Sequence, residues 1–314
     1  MPALVEIALS NSSEAIRQLA AVEARKRVEG GNGKGASSPR PPAPTDDAGW
    51  ERCSPPARTA VKERLLAAIQ SPQPSTSRPT LHKLCQVAQA IYAREHEASS
   101  WPAFLPALFT LCTTAATQET GLYILLGVLD ELATPQLRPE IASPLFGLLA
   151  SALAPSQPLG VRVFAARALG RLTQLVTPED EASVQAISSQ VPAMLQLGSD
   201  AIRAGELDAI NDAYEQLDAL ALCENPAMLN PHFTDVVANC LSAGAAADVD
   251  PDLRLAPCNA LLFVIKYRRN RIQALGLGKP ILEGLMPIAA QDEPEDMDED
   301  SPSRVRRALP VDCD

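Results

Sequence analysis

Apolar residues return along most of this chain at the three- and four-residue spacing of one helix face. In GVRVFAARALGRL, from Gly160, the positions Val161, Phe164, Ala165, Ala168, Leu169 and Leu172 share a side. Further stretches behave alike: EAIRQLAAVEARKRV from Glu14, TLHKLCQVAQAIYA from Thr80, GLYILLGVLDELA from Gly121, ELDAINDAYEQLDAL from Glu206 and DLRLAPCNALLFVIKY from Asp252. Each opens on a small, acidic or hydroxyl residue, and the residue after the opener marks a period. Leu81, Leu122, Val161, Leu207 and Leu253 recur at roughly 40 to 46 residues, the length of a HEAT or armadillo helix pair. The longer interval from Ile16 to Leu81 holds GGNGKGASSPRPPAP, whose glycines and prolines carry no periodicity and read as a flexible insertion over 30–49.

A second helix precedes each marked one: PALVEIALS, PPARTAVKERLLAAI, WPAFLPALFTLCTT, RPEIASPLFGLLASAL, EASVQAISSQVPAMLQLGSDAI and PHFTDVVANCLSAG. Pro56, Pro102, Pro139 and Pro231 are expected in first helical turns, where the missing N–H costs nothing. No strand pattern competes. The pattern predicts an all-α fold, a right-handed α-solenoid of about six HEAT helix pairs over residues 1–290, with GLGKPILEGLMPIAA as an unpaired first helix of a seventh unit. Residues 291–314 are expected to be an acidic loop and a disordered tail, and the array is expected to stop short inside that seventh unit.

Composition narrows the chemistry. Aromatic residues make up only 4% of the chain, so helix-forming Ala and Leu dominate. The net charge of −11 is largely local, because QDEPEDMDED at 291–300 gathers Asp292, Glu293, Glu295, Asp296, Asp298, Glu299 and Asp300. No basic face offers itself to phosphate, so direct nucleic-acid binding is not expected, and basic proteins are the expected partners. No apolar run reaches the roughly 20 residues of a membrane span, and the N-terminal stretch, with Glu6 inside it, lacks a signal-peptide pattern. The seven cysteines show no CxxC pair, so neither a disulfide framework nor a zinc site is expected. Cys85, Cys112, Cys240 and Cys258 read as buried thiols.

Three charged patterns remain. Asp208, Asp212 and Glu215 share a helix face opposite Leu207, Ile210, Tyr214 and Leu217, where they either meet a basic partner or are simply solvated. Lys266, Arg268, Arg269 and Arg271 in KYRRNR are expected to end a helix, complementing its dipole, or to hold the acidic strip within the molecule. Arg17, Arg162 and Arg254 recur just after the landmarks, which suits bonds between adjacent units. His82, His96 and His232 are scattered among helices with no nucleophile or metal-ligand spacing, so neither catalysis nor a cofactor or metal is expected.

EAIRQLAAVEARKRV resembles an early helix of the importin-β family of nuclear transport receptors. WPAFLPALFTLCTTAATQETGLYILLGVLDELA, with its Trp-Pro opener, resembles the family's third repeat, and PIAAQDEPEDMDEDSPSR falls where the importin-4 subgroup, with its yeast counterpart karyopherin-123, carries an acidic loop. The resemblance spans nearly the whole chain. It implies a non-enzymatic, monomeric receptor that shuttles between cytoplasm and nucleus, binds Ran-GTP and nucleoporins, and carries basic cargo such as ribosomal proteins and histones. In the family Ran meets the second helices of the first repeats on the concave side, which implies Arg17, Lys83, Gln86, Asp130 and Glu131 as Ran-facing candidates. A non-transport scaffold such as a phosphatase regulatory subunit, or a histone-chaperone-like binder, would share the same periodicity.

Overall fold

A computed structural model describes residues 1–30, 49–133 and 137–290. Most of the insertion, all of the acidic strip and the tail lie outside the described residues. Among the described residues there is no strand, and the helices fall into consecutive pairs. The first pair is α1 (Pro2–Ser10) with α2 (Glu14–Glu29), the second α3 (Pro55–Gln70) with α4 (Arg78–Glu95). The third is α5 (Phe104–Thr113) with α6 (Gln118–Leu126), prolonged by a short α7 (Leu129–Leu132). The fourth is α8 (Pro139–Leu153) with α9 (Leu159–Leu175). In the fifth unit α10 (Glu181–Ser188) and α11 (Val191–Ala204) precede α12 (Leu207–Leu222). In the sixth, two 3-10 turns precede α13 (Phe233–Ala245) and α14 (Pro251–Tyr267), after which come α15 (Arg269–Ala274) and α16 (Gly278–Ala289).

The pairs stack in two layers. The second helices follow one another, α2 on α4, α4 on α6, α6 on α9, α9 on α12 and α12 on α14. First helices do the same, α1 on α3 and α3 on α5, then α8 on α11, α11 on α13 and α13 on α16. A helix with neighbours on three sides must be apolar over most of its circumference, and α9 buries Val161, Val163, Phe164, Ala165, Ala166, Ala168, Leu169 and Leu172. Ala20, Ala21 and Ala24 keep α2 slim on its packed side, which lets α4 approach closely. The array is thus the expected α-solenoid.

Several expectations need correction. EASVQAISSQVPAMLQLGSDAI is two helices, because the chain turns at Ser189–Gln190 and Pro192 starts a new first turn. Pro56 and Pro139 sit in first turns, but Pro102 precedes α5 and Pro231 lies in a 3-10 turn. GLYILLGVLDELA is broken after Leu126, where the α6 backbone tightens into 3-10-type bonds from Gly127 and Val128 to Ile124 and Leu125. KYRRNR does not end one helix: α14 stops at Tyr267, and Arg269 begins α15. Leu207, placed on the apolar seam, is 43% exposed at the first turn of α12. Cys85, Cys112 and Cys240 are buried as expected, whereas Cys258 is only half-buried.

Candidate partner-binding face

Polar side chains on the second-helix layer link one unit to the next. Arg25 of α2 donates to Gln86 Oε1 of α4 at 3.1 Å, and Gln86 Nε2 donates to the Tyr123 hydroxyl of α6 at 2.7 Å. The His82 ring lies flat on Tyr123, centroids 4.2 Å apart, and burial, followed by the charge of Arg78, lowers the imidazole pKa and so favours its neutral form. Tyr123 meets Phe164 of α9 edge-on at 5.9 Å, the Arg167 guanidinium lies 5.8 Å from the Phe164 ring, and Arg167 reaches Asp212 of α12 at 3.8 Å. Five successive second helices are therefore joined by one chain of contacts.

The chain of contacts borders a shallow recess of about 380 Å³, walled by Arg25, Glu29, Gln86, Gln89, Tyr123 and Leu126. Gln89 donates from behind to the carbonyls of Tyr123, at 2.9 Å, and Ile124, at 3.3 Å, near the α6 break. A recess with a cation, an anion, two amides and an aromatic wall can receive a side chain of a protein partner. Among the described residues no group of His, Cys, Asp and Glu could hold a metal ion.

The residues singled out from the sequence are placed unevenly. Lys83 and Gln86 lie half-buried on α4, Lys83 Nζ 3.5 Å from Gln86 Oε1. Arg17 is 8% exposed and donates to the Ser75 carbonyl at 3.0 Å, so it sits in the seam between the first two units and presents no charge to a partner. That is the inter-unit role expected for it, and Arg162 repeats it against Asp200 at 2.7 Å. Asp130, at the start of α7, is exposed and accepts from Arg171 Nε and Nη2 at 2.8 and 2.7 Å. Those bonds hold the Asp130 carboxyl below the usual range. Glu131 is half-buried, with Oε2 lacking a hydrogen-bond partner among the described residues.

On α12, Asp208 and Glu215 are exposed, while Asp212 turns inward toward Arg167. Burial pushes the Asp212 carboxyl up despite that guanidinium, with Glu215 and Asp208 adding to the rise. The seven carboxylates of 291–300 lie outside the described residues.

The residue that sequence reasoning missed most is Trp50, which directly follows the 30–49 insertion. It is 2% exposed and donates to Glu95 Oε1 at 2.7 Å, in a buried cluster with Lys62 and Ser100. A lone Trp directly after a Gly/Pro/Ser tract was the available signal, because such a ring seldom stays in water.

The family model for IPO5-like TPR repeats matches residues 76–239. Importin-4 of Mus musculus is 26% identical over 96% of this chain and 26% of its own length. Importin-4 of Homo sapiens is 25% identical over 95% of this chain and 26% of its length. The chain thus spans about a quarter of these curated relatives. Solved structures of Kap121p share the fold: the complex with Ste12p aligns at a TM-score of 0.71 and 15% identity over 91% of this chain and 25% of that one. The complex with RanGTP aligns at 0.68 and 15% over 91% and 24%.

Proposed function

The chain belongs to the importin-β family of nuclear transport receptors, through its IPO5-like TPR repeats, and from that premise we propose that it binds Ran-GTP on the second helices of its first units and basic cargo on later ones. The observation that carries the reading is the recess between α2, α4 and α6, an accessible polar site on the helices where the family resemblance puts Ran. Kap121p, similar in fold, has been solved with RanGTP, with Nup53p and with Ste12p, which supports a Ran-, nucleoporin- and cargo-binding receptor here.

In this reading Lys83 and Gln86 touch Ran beside the recess, Asp130 and Glu131 extend the contact along α7, and Arg17 holds α2 in place from within the seam. Asp208 and Glu215 on α12, together with the 291–300 strip, face basic cargo of the ribosomal-protein and histone type. The receptor works as a monomer moving between cytoplasm and nucleus. Exchange of partners needs no bond chemistry: cargo and Ran compete through one continuous layer of helices.

Charge reversals measured in the full chain separate the two surfaces. Lys83→Glu is expected to weaken Ran-GTP binding about tenfold, the loss of one well-placed charged contact of about 1.4 kcal/mol, and to leave a basic cargo peptide unaffected. Asp208→Lys is expected to do the reverse. Equal effects of both variants on both partners would contradict the assignment.

A further inference from the structure

At the far end of the solenoid, α14 gives way to α15 around a pocket of about 590 Å³ whose walls include Lys266, Tyr267, Arg268, Arg269, Arg271 and Asn230, and no acidic side chain. Two of these cations are fixed. Arg268 donates to the Leu220 carbonyl at 3.4 Å and to the Cys223 carbonyl, capping the C-terminal end of α12 from the next unit, and Arg271 reaches the Asn230 carbonyl at 3.5 Å. Both keep a buried Nε with no hydrogen-bond partner among the described residues. Lys266 and Arg269 are exposed, with the Lys266 ammonium 5.2 Å from the Tyr267 ring.

Most other cations of the chain have a carboxylate nearby, from Arg25 with Glu29 to Lys279 with Glu283. Among the described residues none of these four has one. Four cations around one pocket, with no carboxylate beside them among the described residues, form a strong local anion site in a chain of net charge −11.

The complementary charge is in the same chain. We propose that the acidic segment 291–300 docks in this pocket within one molecule, its carboxylates meeting Lys266 and Arg269 at the rim and the guanidinium planes of Arg268 and Arg271 deeper in. The reach suffices. Helix α16 carries the chain over 12 residues, about 18 Å, and ten extended residues cover about 33 Å, enough to return to the pocket. A tether this short gives an effective concentration on the order of millimolar, so even a weak contact is populated. The contact is electrostatic and yields to salt or to a competing basic protein. It does not depend on the transport reading, since it requires only the pocket and the strip.

Zero-length carbodiimide coupling of the full chain, read by peptide mass spectrometry, tests the proposal because it joins an amine to a carboxylate only in direct contact. The expected product links Lys266 to a carboxylate between Asp292 and Asp300 inside one chain. Its yield should not change with protein concentration, and it should fall about tenfold in about 0.5 M salt, where the Debye length drops to a few ångströms, or in Arg269→Glu. Circular dichroism of Arg269→Glu shows whether the fold persists, and in a second arm Asp/Glu→Asn/Gln substitution across 291–300 should abolish the product without altering the pocket. A product absent at low salt, unaffected by Arg269→Glu, or found only between two chains would overturn it.

Discussion

Burial alone would raise the Glu95 carboxyl, but donors from Lys62, Ser100 and Trp50 outweigh it and the group is lowered overall. Lys62 and Glu95 are 7% and 8% exposed, so each depends on the other. Lys62→Met should destabilise the chain by about 3 kcal/mol, the cost of a buried charge losing its partner. Because the folded carboxyl lies below its unfolded value, its contribution is present above roughly pH 4.3 and is lost as pH falls through the folded value. The penalty of Lys62→Met, followed by urea unfolding, should therefore be largest near neutrality and shrink in acid. Asp218 has the opposite sign. Burial, with Glu215 nearby, pushes its carboxyl up to about 7, and its Oδ1 has no hydrogen-bond partner among the described residues. The folded state then holds the proton more tightly than the unfolded one, so the contribution is full below about pH 4 and is lost as pH rises toward 7. Asp218→Asn should raise Tm by about 2–4 °C at pH 8 and leave it unchanged near pH 4.

At the scale of elements, close helix contacts decide which substitutions are tolerated. A Cβ at Gly121 would stand 2.6 Å from Cys112 N and 2.8 Å from the Leu111 carbonyl carbon, and backbone cannot step aside as a side chain can. Gly121→Ala should cost about 1–3 kcal/mol by forcing α5 and α6 apart, measurable as a lower urea midpoint. The helix pairs were legible in the sequence because an apolar period of 3.6 repeated over some 40 residues has few other solutions. The breaks were not. The pause after Leu126 depends on the neighbour: Gln89 of α4 bonds the Tyr123 and Ile124 carbonyls from another unit, and no local pattern announces it. The site was legible in the same partial way. Gln86, which walls the recess, and Lys83, one turn away, were named only through the family resemblance, whereas the Arg25, Tyr123, Phe164 and Arg167 contacts that connect the helices arise only from stacking distant segments.

For the whole molecule, stability follows from a row of similar interfaces, each made by a second helix with its predecessor and successor. Such an array unfolds by units, so loss of a seam residue should spread to its neighbours and fade with distance. Arg162→Met, which removes the buried partner of Asp200 between the fourth and fifth units, should raise amide exchange in α9, α11 and α12 and leave α2 and α4 protected. Partner binding belongs to this scale too, since the recess on α2, α4 and α6 lies in no single unit. The most direct measurement is titration of the full chain with Ran loaded with GTP and, in parallel, with GDP. Binding is expected to be at least about a hundredfold tighter for the GTP form, about 2.7 kcal/mol. Equal binding of the two forms, or none to either, would contradict it.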